Sequence, residues 1–145
     1  MVTIAPEQQL QILHLEDSLA DQKLVHRVIL RSYPSAAITP VDSLDAFAAL
    51  VSLRSFDIIL ADYRLNGFTA LDAWQHVAQL HHRPPFVLVS GAVGEAAAVD
   101  AMHLGIADYL LKDDIGRLPH VMARAIEVNQ ANKDRELAVA ELAES

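Results

Sequence analysis

DIILADYRLNGF (57–68) is the stretch on which the fold turns. Four apolar residues, Ile58 to Ala61, run directly into a carboxylate, Asp62, and then into a polar turn containing Gly67. A short run apolar on every residue reads as a strand covered on both faces, as in parallel sheets. A carboxylate at its end costs free energy unless it is hydrated, paired or bound to a cation. Asp62 is therefore either a cap or a working group.

Working outward from this strand, short apolar runs alternate with segments of helical period. LQILHL (10–15) reads as a first strand and DQKLVHRVILRSY (21–33) as a helix stopped by Pro34. AAITPV (36–41) is a weak second strand, and its Pro40 suits an edge strand or a strand end. SLDAFAALVSL (43–53) is a helix with Ser43 as N-cap. FDIILA (56–61) is the third strand, and TALDAWQHVAQLHH (69–82) a helix capped by Thr69, which places His81 and His82 at a helix C-terminus. PFVLVS (85–90) is a fourth strand broken by Gly91, and GEAAAVDAMHLG (94–105) a helix closed by Gly105. ADYLLK (107–112) is the fifth strand, and the pattern is helical again from about Leu118. Five strands alternating with five helices imply an α/β fold with parallel strands and right-handed crossovers. Such open sheets bind ligands beyond the carboxyl ends of their strands.

Composition narrows the function. The chain of 145 residues suits one domain, and 52% hydrophobic residues can fill its core. The absence of cysteine excludes disulfides and thiolate metal sites. A net charge of -8 disfavours non-specific nucleic-acid binding by this segment. No apolar run reaches about 18 residues, so no membrane span is expected. The N-terminus lacks the pattern of a signal peptide, so a cytoplasmic protein is expected. The seven histidines are scattered; His14 reads as a satisfied core or edge residue, and Trp74 as packing.

The strand ends carry the chemistry. Glu16 and Asp17 follow the first strand, Asp62 ends the third, Ser90 and Gly91 end the fourth, and Lys112 ends the fifth. Three neighbouring carboxylates repel, and a hard divalent cation relieves that repulsion. Mg²⁺ is commonly held by one or two carboxylates plus a phosphate. An Asp carboxylate can act as nucleophile toward a phosphoryl group, with a lysine and a hydroxyl balancing the phosphate oxygens. Taken singly, each position has an ordinary reading: Glu16-Asp17 as a helix cap, Asp62 and Ser90 as turn residues, Lys112 as a surface lysine, Tyr109 as strand packing.

Together, Glu16-Asp17, Asp62, Ser90-Gly91 and Tyr109-Leu110-Leu111-Lys112 resemble the receiver domain of response regulators in bacterial two-component systems. The resemblance covers roughly residues 10 to 128. It implies a flavodoxin-like doubly wound (βα)5 fold with strand order 2-1-3-4-5. It implies Asp62 as phosphoacceptor, Asp17 as direct Mg²⁺ (or Mn²⁺) ligand, Glu16 as a partner acting through water, and the Arg64 backbone carbonyl as a further ligand. Ser90, Gly91 and Lys112 would bind phosphate, and Ser90 with Tyr109 would form the switch pair. The donor would be a phosphohistidine on a sensor histidine kinase or phosphotransfer protein, making the chain a signalling module rather than an enzyme.

This chain departs from many receivers in two places. Asp113 and Asp114 stand where a proline commonly follows the lysine, so a cis peptide is not expected there and one of the two should cap a short turn. Asn66 stands where a proline commonly lies four residues after the acceptor, so an altered loop shape is expected. Arg64 and Ala92 occupy the positions expected to tune phosphate lifetime. Residues 1–9 read as an N-terminal extension. Residues 129–145 read as a helical extension, either a solvated tail or the start of a coiled coil toward an output domain or a homodimer. The main rival is a degenerate receiver that binds partners without phosphorylation. A phosphatase of the haloacid dehalogenase kind wants a second Asp at position 64, where Arg64 stands. A dinucleotide binder wants glycines after the first strand, and HLEDSLAD (14–21) has none.

Overall fold

The strands form because their residues can be buried from both sides. Residues 58–61 and 86–90 are buried at every position. A computed structural model describes residues 4, 5, 7–91 and 95–144. Its strands are β1 (Gln11–Leu15), β2 (Ala37–Val41), β3 (Ile58–Ala61), β4 (Arg64–Leu65), β5 (Phe68–Thr69), β6 (Phe86–Ser90) and β7 (Asp108–Leu111). Its α-helices are α1 (Leu19–Ser32), α2 (Leu44–Leu53), α3 (Ala70–Ala78), α4 (Glu95–His103) and α5 (Leu118–Glu144). A 3-10 turn, Lys112–Arg117, joins β7 to α5.

The main sheet is parallel, in the order β2-β1-β3-β6-β7. With the short β4–β5 hairpin set aside, this is the flavodoxin-like order 2-1-3-4-5. Alternate residues of each strand face opposite layers. Ile58 and Leu60 join Val25 and Ile29 of α1 and Leu118, Val121, Met122 and Ala125 of α5. Ile59 and Ala61 join Phe47 and Val51 of α2 and Ala73, Trp74 and Val77 of α3. Pro40 sits on the edge strand β2, where its missing N–H breaks no ladder bond on the open side.

Local chemistry sets the helix ends. Ser18, Ser43 and Thr69 cap α1, α2 and α3, each accepting a backbone N–H. Thr69 and Asp72 form a reciprocal capping box. Helix α3 ends at Ala78, so His81 and His82 lie in the loop beyond it rather than at its C-terminus. Leu80 N–H bonds back to Val77, and Pro84 and Pro85 follow before β6.

Two small elements correct the sequence reading. Residues 64–69 form a hairpin whose two-residue loop is Asn66-Gly67, with the positive φ of 85° on Gly67. Asp113 and Asp114 lie inside the 3-10 turn, whose N-cap is Leu111 with no side-chain cap bond, so neither aspartate caps it. Among the described residues no peptide bond is cis.

Gly105 closes the α4 end at φ 105°, and a Cβ there would lie 3.2 Å from Trp74 Cζ2. Gly105→Ala therefore combines backbone strain with a clash against a buried ring. It is expected to cost about 2 kcal/mol, read as a lowered urea midpoint with an unchanged m-value.

Helix α5 runs on after its contacts with the sheet. Val121, Met122 and Ala125 are buried, while Leu137 and Val139 are exposed. No described helix is long and apolar enough to cross a membrane.

Candidate functional site

Strand register brings the site together. Leu15 lies opposite Ala61, so Glu16 and Asp62 leave adjacent strands at the same level. The backbone continues the match, with Asp62 N–H donating to the Leu15 carbonyl at 3.0 Å. Ser90 lies opposite Leu111, so Lys112 is the first residue beyond β7, at the start of the 3-10 turn. Carboxylate oxygens of Glu16, Asp17 and Asp62 lie within 4.8 Å of one another. These three, with Lys112, are the predicted residues that the fold gathers most tightly.

The Lys112 ammonium is the hub. Its Nζ is 2.6 Å from Glu16 Oε1, 2.8 Å from Asp21 Oδ2 and 3.4 Å from Asp62 Oδ2. Burial alone would lower its pKa, but hydrogen bonds to Asp21 and Glu16, with the charges of Glu16 and Asp62, outweigh that and raise it. Lys112 therefore stays protonated. Glu16 is fully buried. Burial raises its carboxyl pKa and the Asp62 charge raises it further, while the bond to Lys112 opposes both. Its Oε2 also accepts the Ser18 N–H, at 3.2 Å.

Asp17 is held from the other side of the cleft. Its Oδ2 accepts the Asn66 N–H at 2.8 Å. A proline at position 66 has no N–H to give, so this bond is what the asparagine adds to the loop.

Asp21 is a site residue that sequence reading missed. It stands three residues after the helix cap Ser18, where an acidic residue reads as part of a capping box. The other unread feature is a buried imidazole pair. His14 Nδ1 lies 3.2 Å from His26 Nε2, and His14 Nε2 is buried with no hydrogen-bond partner. Burial, then the neighbouring His26 and Lys112, hold the His14 pKa down at about 3. His14 is thus buried as expected but only half satisfied.

The remaining predicted residues stand around this centre. Ser90 is buried at the end of β6, and Gly91 is exposed beyond it. Arg64 is exposed at the start of the hairpin. Tyr109 is 43% exposed and faces outward from β7. Ala92 lies outside the described residues.

Three carboxylates, Glu16, Asp21 and Asp62, share one ammonium, and all the ligand atoms of the close set Glu16, Asp17 and Asp62 are oxygens. That donor set fits a hard divalent cation. The family model of the response regulator receiver domain matches residues 12–123. The chain belongs to this family. The receiver is 31% identical over 80 residues to the response regulator protein PilR of Pseudomonas aeruginosa, a match spanning 54% of this chain and 18% of that relative. Its fold is similar to a signal receiver domain from Vibrio parahaemolyticus, with a TM-score of 0.78, 17% identity, and 89% and 98% of the two chains covered. It is also similar to the receiver domain of a sensor histidine kinase from Pseudomonas aeruginosa, solved with magnesium in its active-site cleft. There the TM-score is 0.71, with 22% identity and 83% and 99% of the chains covered. The receiver is thus a signalling module of the two-component type.

Proposed function

We propose that this receiver accepts a phosphoryl group on Asp62 from a phosphohistidine of a sensor histidine kinase or phosphotransfer protein, and that the modification switches its surface. The observation carrying this reading is the Lys112 ammonium 3.4 Å from Asp62 Oδ2, beside three carboxylates whose oxygens lie within 4.8 Å.

An Asp62 carboxylate oxygen attacks phosphorus, the phosphorus–nitrogen bond breaks, and the donor imidazole leaves with the electron pair. Lys112 supplies a charge-assisted hydrogen bond to a phosphoryl oxygen, and Ser90 Oγ and the Gly91 N–H serve the others. Glu16, Asp17, Asp62 and the Arg64 carbonyl would hold Mg²⁺ (or Mn²⁺), which neutralises phosphoryl charge when bound. Hydrolysis, by attack of water on phosphorus, returns the Asp62 carboxylate and inorganic phosphate. The receiver catalyses no turnover beyond these two steps on itself.

The output follows from exposure. Tyr109 faces solvent and Ser90 ends the neighbouring strand, so a hydroxyl drawn toward phosphate leaves room for the ring to turn inward. The face of α4, β7 and α5 then changes, biasing an equilibrium between two surfaces. Residues 10–128 act as the switching body. Residues 129–145 relay the change along α5 to an output domain, a second copy or another partner, and the setting is cytoplasmic.

The test is acetyl phosphate labelling read as intact mass. A gain of one phosphoryl group that needs Mg²⁺, is released by hydroxylamine as an acyl phosphate is, and is absent from Asp62→Asn is the expected result. An unlabelled parent protein that also ignores beryllofluoride would overturn the reading in favour of a phosphorylation-independent interaction module.

A further inference from the structure

The position of Asp21 is not explained by its helix. It sits at the third residue of α1, where its N–H donates to Ser18 Oγ at 3.3 Å. In a capping box its carboxylate would return the bond to the Ser18 N–H. Here that N–H goes to Glu16 Oε2, and the Asp21 carboxylate reaches Lys112 at 2.8 Å instead. The side chain has left the helix terminus and joined the site.

The consequence lies in how the ammonium divides its three protons. The two short contacts go to Glu16 and Asp21, and the long one to Asp62. A phosphoryl group on Asp62 needs that ammonium. Glu16 belongs to the close carboxylate set that suits a cation, so a bound cation shares its charge. Asp21 is outside that set and keeps its full claim on Lys112.

We propose that Asp21 is a positioning residue that holds the Lys112 ammonium on the α1 side of the cleft, away from the phosphoryl position, and so restrains phosphorylation of Asp62. This inference rests on the phosphoacceptor reading. Asp21 is not a conduit to a partner and touches no reacting atom; it acts through Lys112.

The test is titration with beryllofluoride in saturating Mg²⁺, followed by calorimetry, together with the rate of labelling by acetyl phosphate. Asp21→Asn keeps the size of the side chain and removes its charge. It is expected to tighten beryllofluoride binding about fivefold and to speed labelling in proportion, the scale of a partly exposed ion pair. Asp113→Asn is the control. It removes the same charge from the exposed residue next to Lys112, and is expected to change either readout less than twofold. An unchanged affinity in Asp21→Asn overturns the proposal, and so does an equal gain in Asp113→Asn, which would mark a general field effect. A parent protein that binds no beryllofluoride overturns the phosphoacceptor reading itself, and this inference with it.

Discussion

Lys112→Met is expected to lower stability by about 3 kcal/mol at pH 7 in the presence of a chelator, roughly a 10 °C fall in the melting temperature. The cause is what the substitution leaves behind. Glu16 is fully buried and Lys112 is its ion-pair partner, at 2.6 Å. Without the ammonium, Glu16, Asp21 and Asp62 face one another with no cation among the described residues that contact them. Removing one partner of a buried pair costs more than the pair itself contributes, because the other charge stays in a poor dielectric.

Two further outcomes mark this mechanism. Glu16 can escape by taking a proton, since burial already raises its pKa. A carboxyl raised in the folded state favours folding below its unfolded pKa and loses that advantage as pH rises. The deficit of Lys112→Met should therefore grow from pH 5 to pH 8. Mg²⁺ should shrink it, because a cation that binds only the folded site stabilises by mass action, about 2.7 kcal/mol at a hundredfold excess over Kd. Urea midpoints with and without Mg²⁺ measure both. A deficit independent of pH and of Mg²⁺ would mean that Lys112 acts through packing of its stem alone.

The second large effect comes from His14. Its pKa is held at about 3, against 6.5 for the unfolded chain, so the unfolded state binds the proton more readily. Stability is fully present above pH 6.5 and is lost progressively as pH falls toward 3. One pKa unit is about 1.4 kcal/mol, so His14 alone should cost about 2 kcal/mol by pH 5. Burial lowers His26 as well, in the same sense. Glu16 acts in the opposite sense, so the parent's curve is a composite. The difference between parent and His14→Leu isolates the histidine. Leucine suits a fully buried strand position and removes the unpartnered Nε2. It is expected to flatten the fall between pH 7 and pH 5 by about 2 kcal/mol. Parallel profiles for the two proteins would show that His14 takes up its proton without unfolding the core.

Particular residues show where local reading works. Ile58 to Ala61 announced a doubly covered strand because every one of them is apolar, and each is buried. Ser43 and Thr69 were legible as caps because a hydroxyl ahead of a helical pattern has one favoured use. Glu16, Asp17, Asp62 and Lys112 were legible because each directly follows or ends a recognisable strand. The 64–69 hairpin was not, since two-residue strands carry too little pattern to register. The C-terminus of α3 was overrun because helical periodicity continues through Leu80 although the backbone turns away after Ala78.

The alternation of elements, the buried strands and the order of acidic, hydroxyl and amino groups at their ends can all be read along the chain. These depend on composition and period within a dozen residues. The partners of these groups are set by packing in three dimensions. Asp21 looks like a capping acid until α1 is packed beside the 3-10 turn that follows β7, where Lys112, ninety-one residues away, claims its carboxylate. His14 looks like a satisfied core histidine until β1 is buried and one ring nitrogen is left without a donor or acceptor. Charge pairing and desolvation act through space, and a linear pattern carries no distance between residues far apart in the chain.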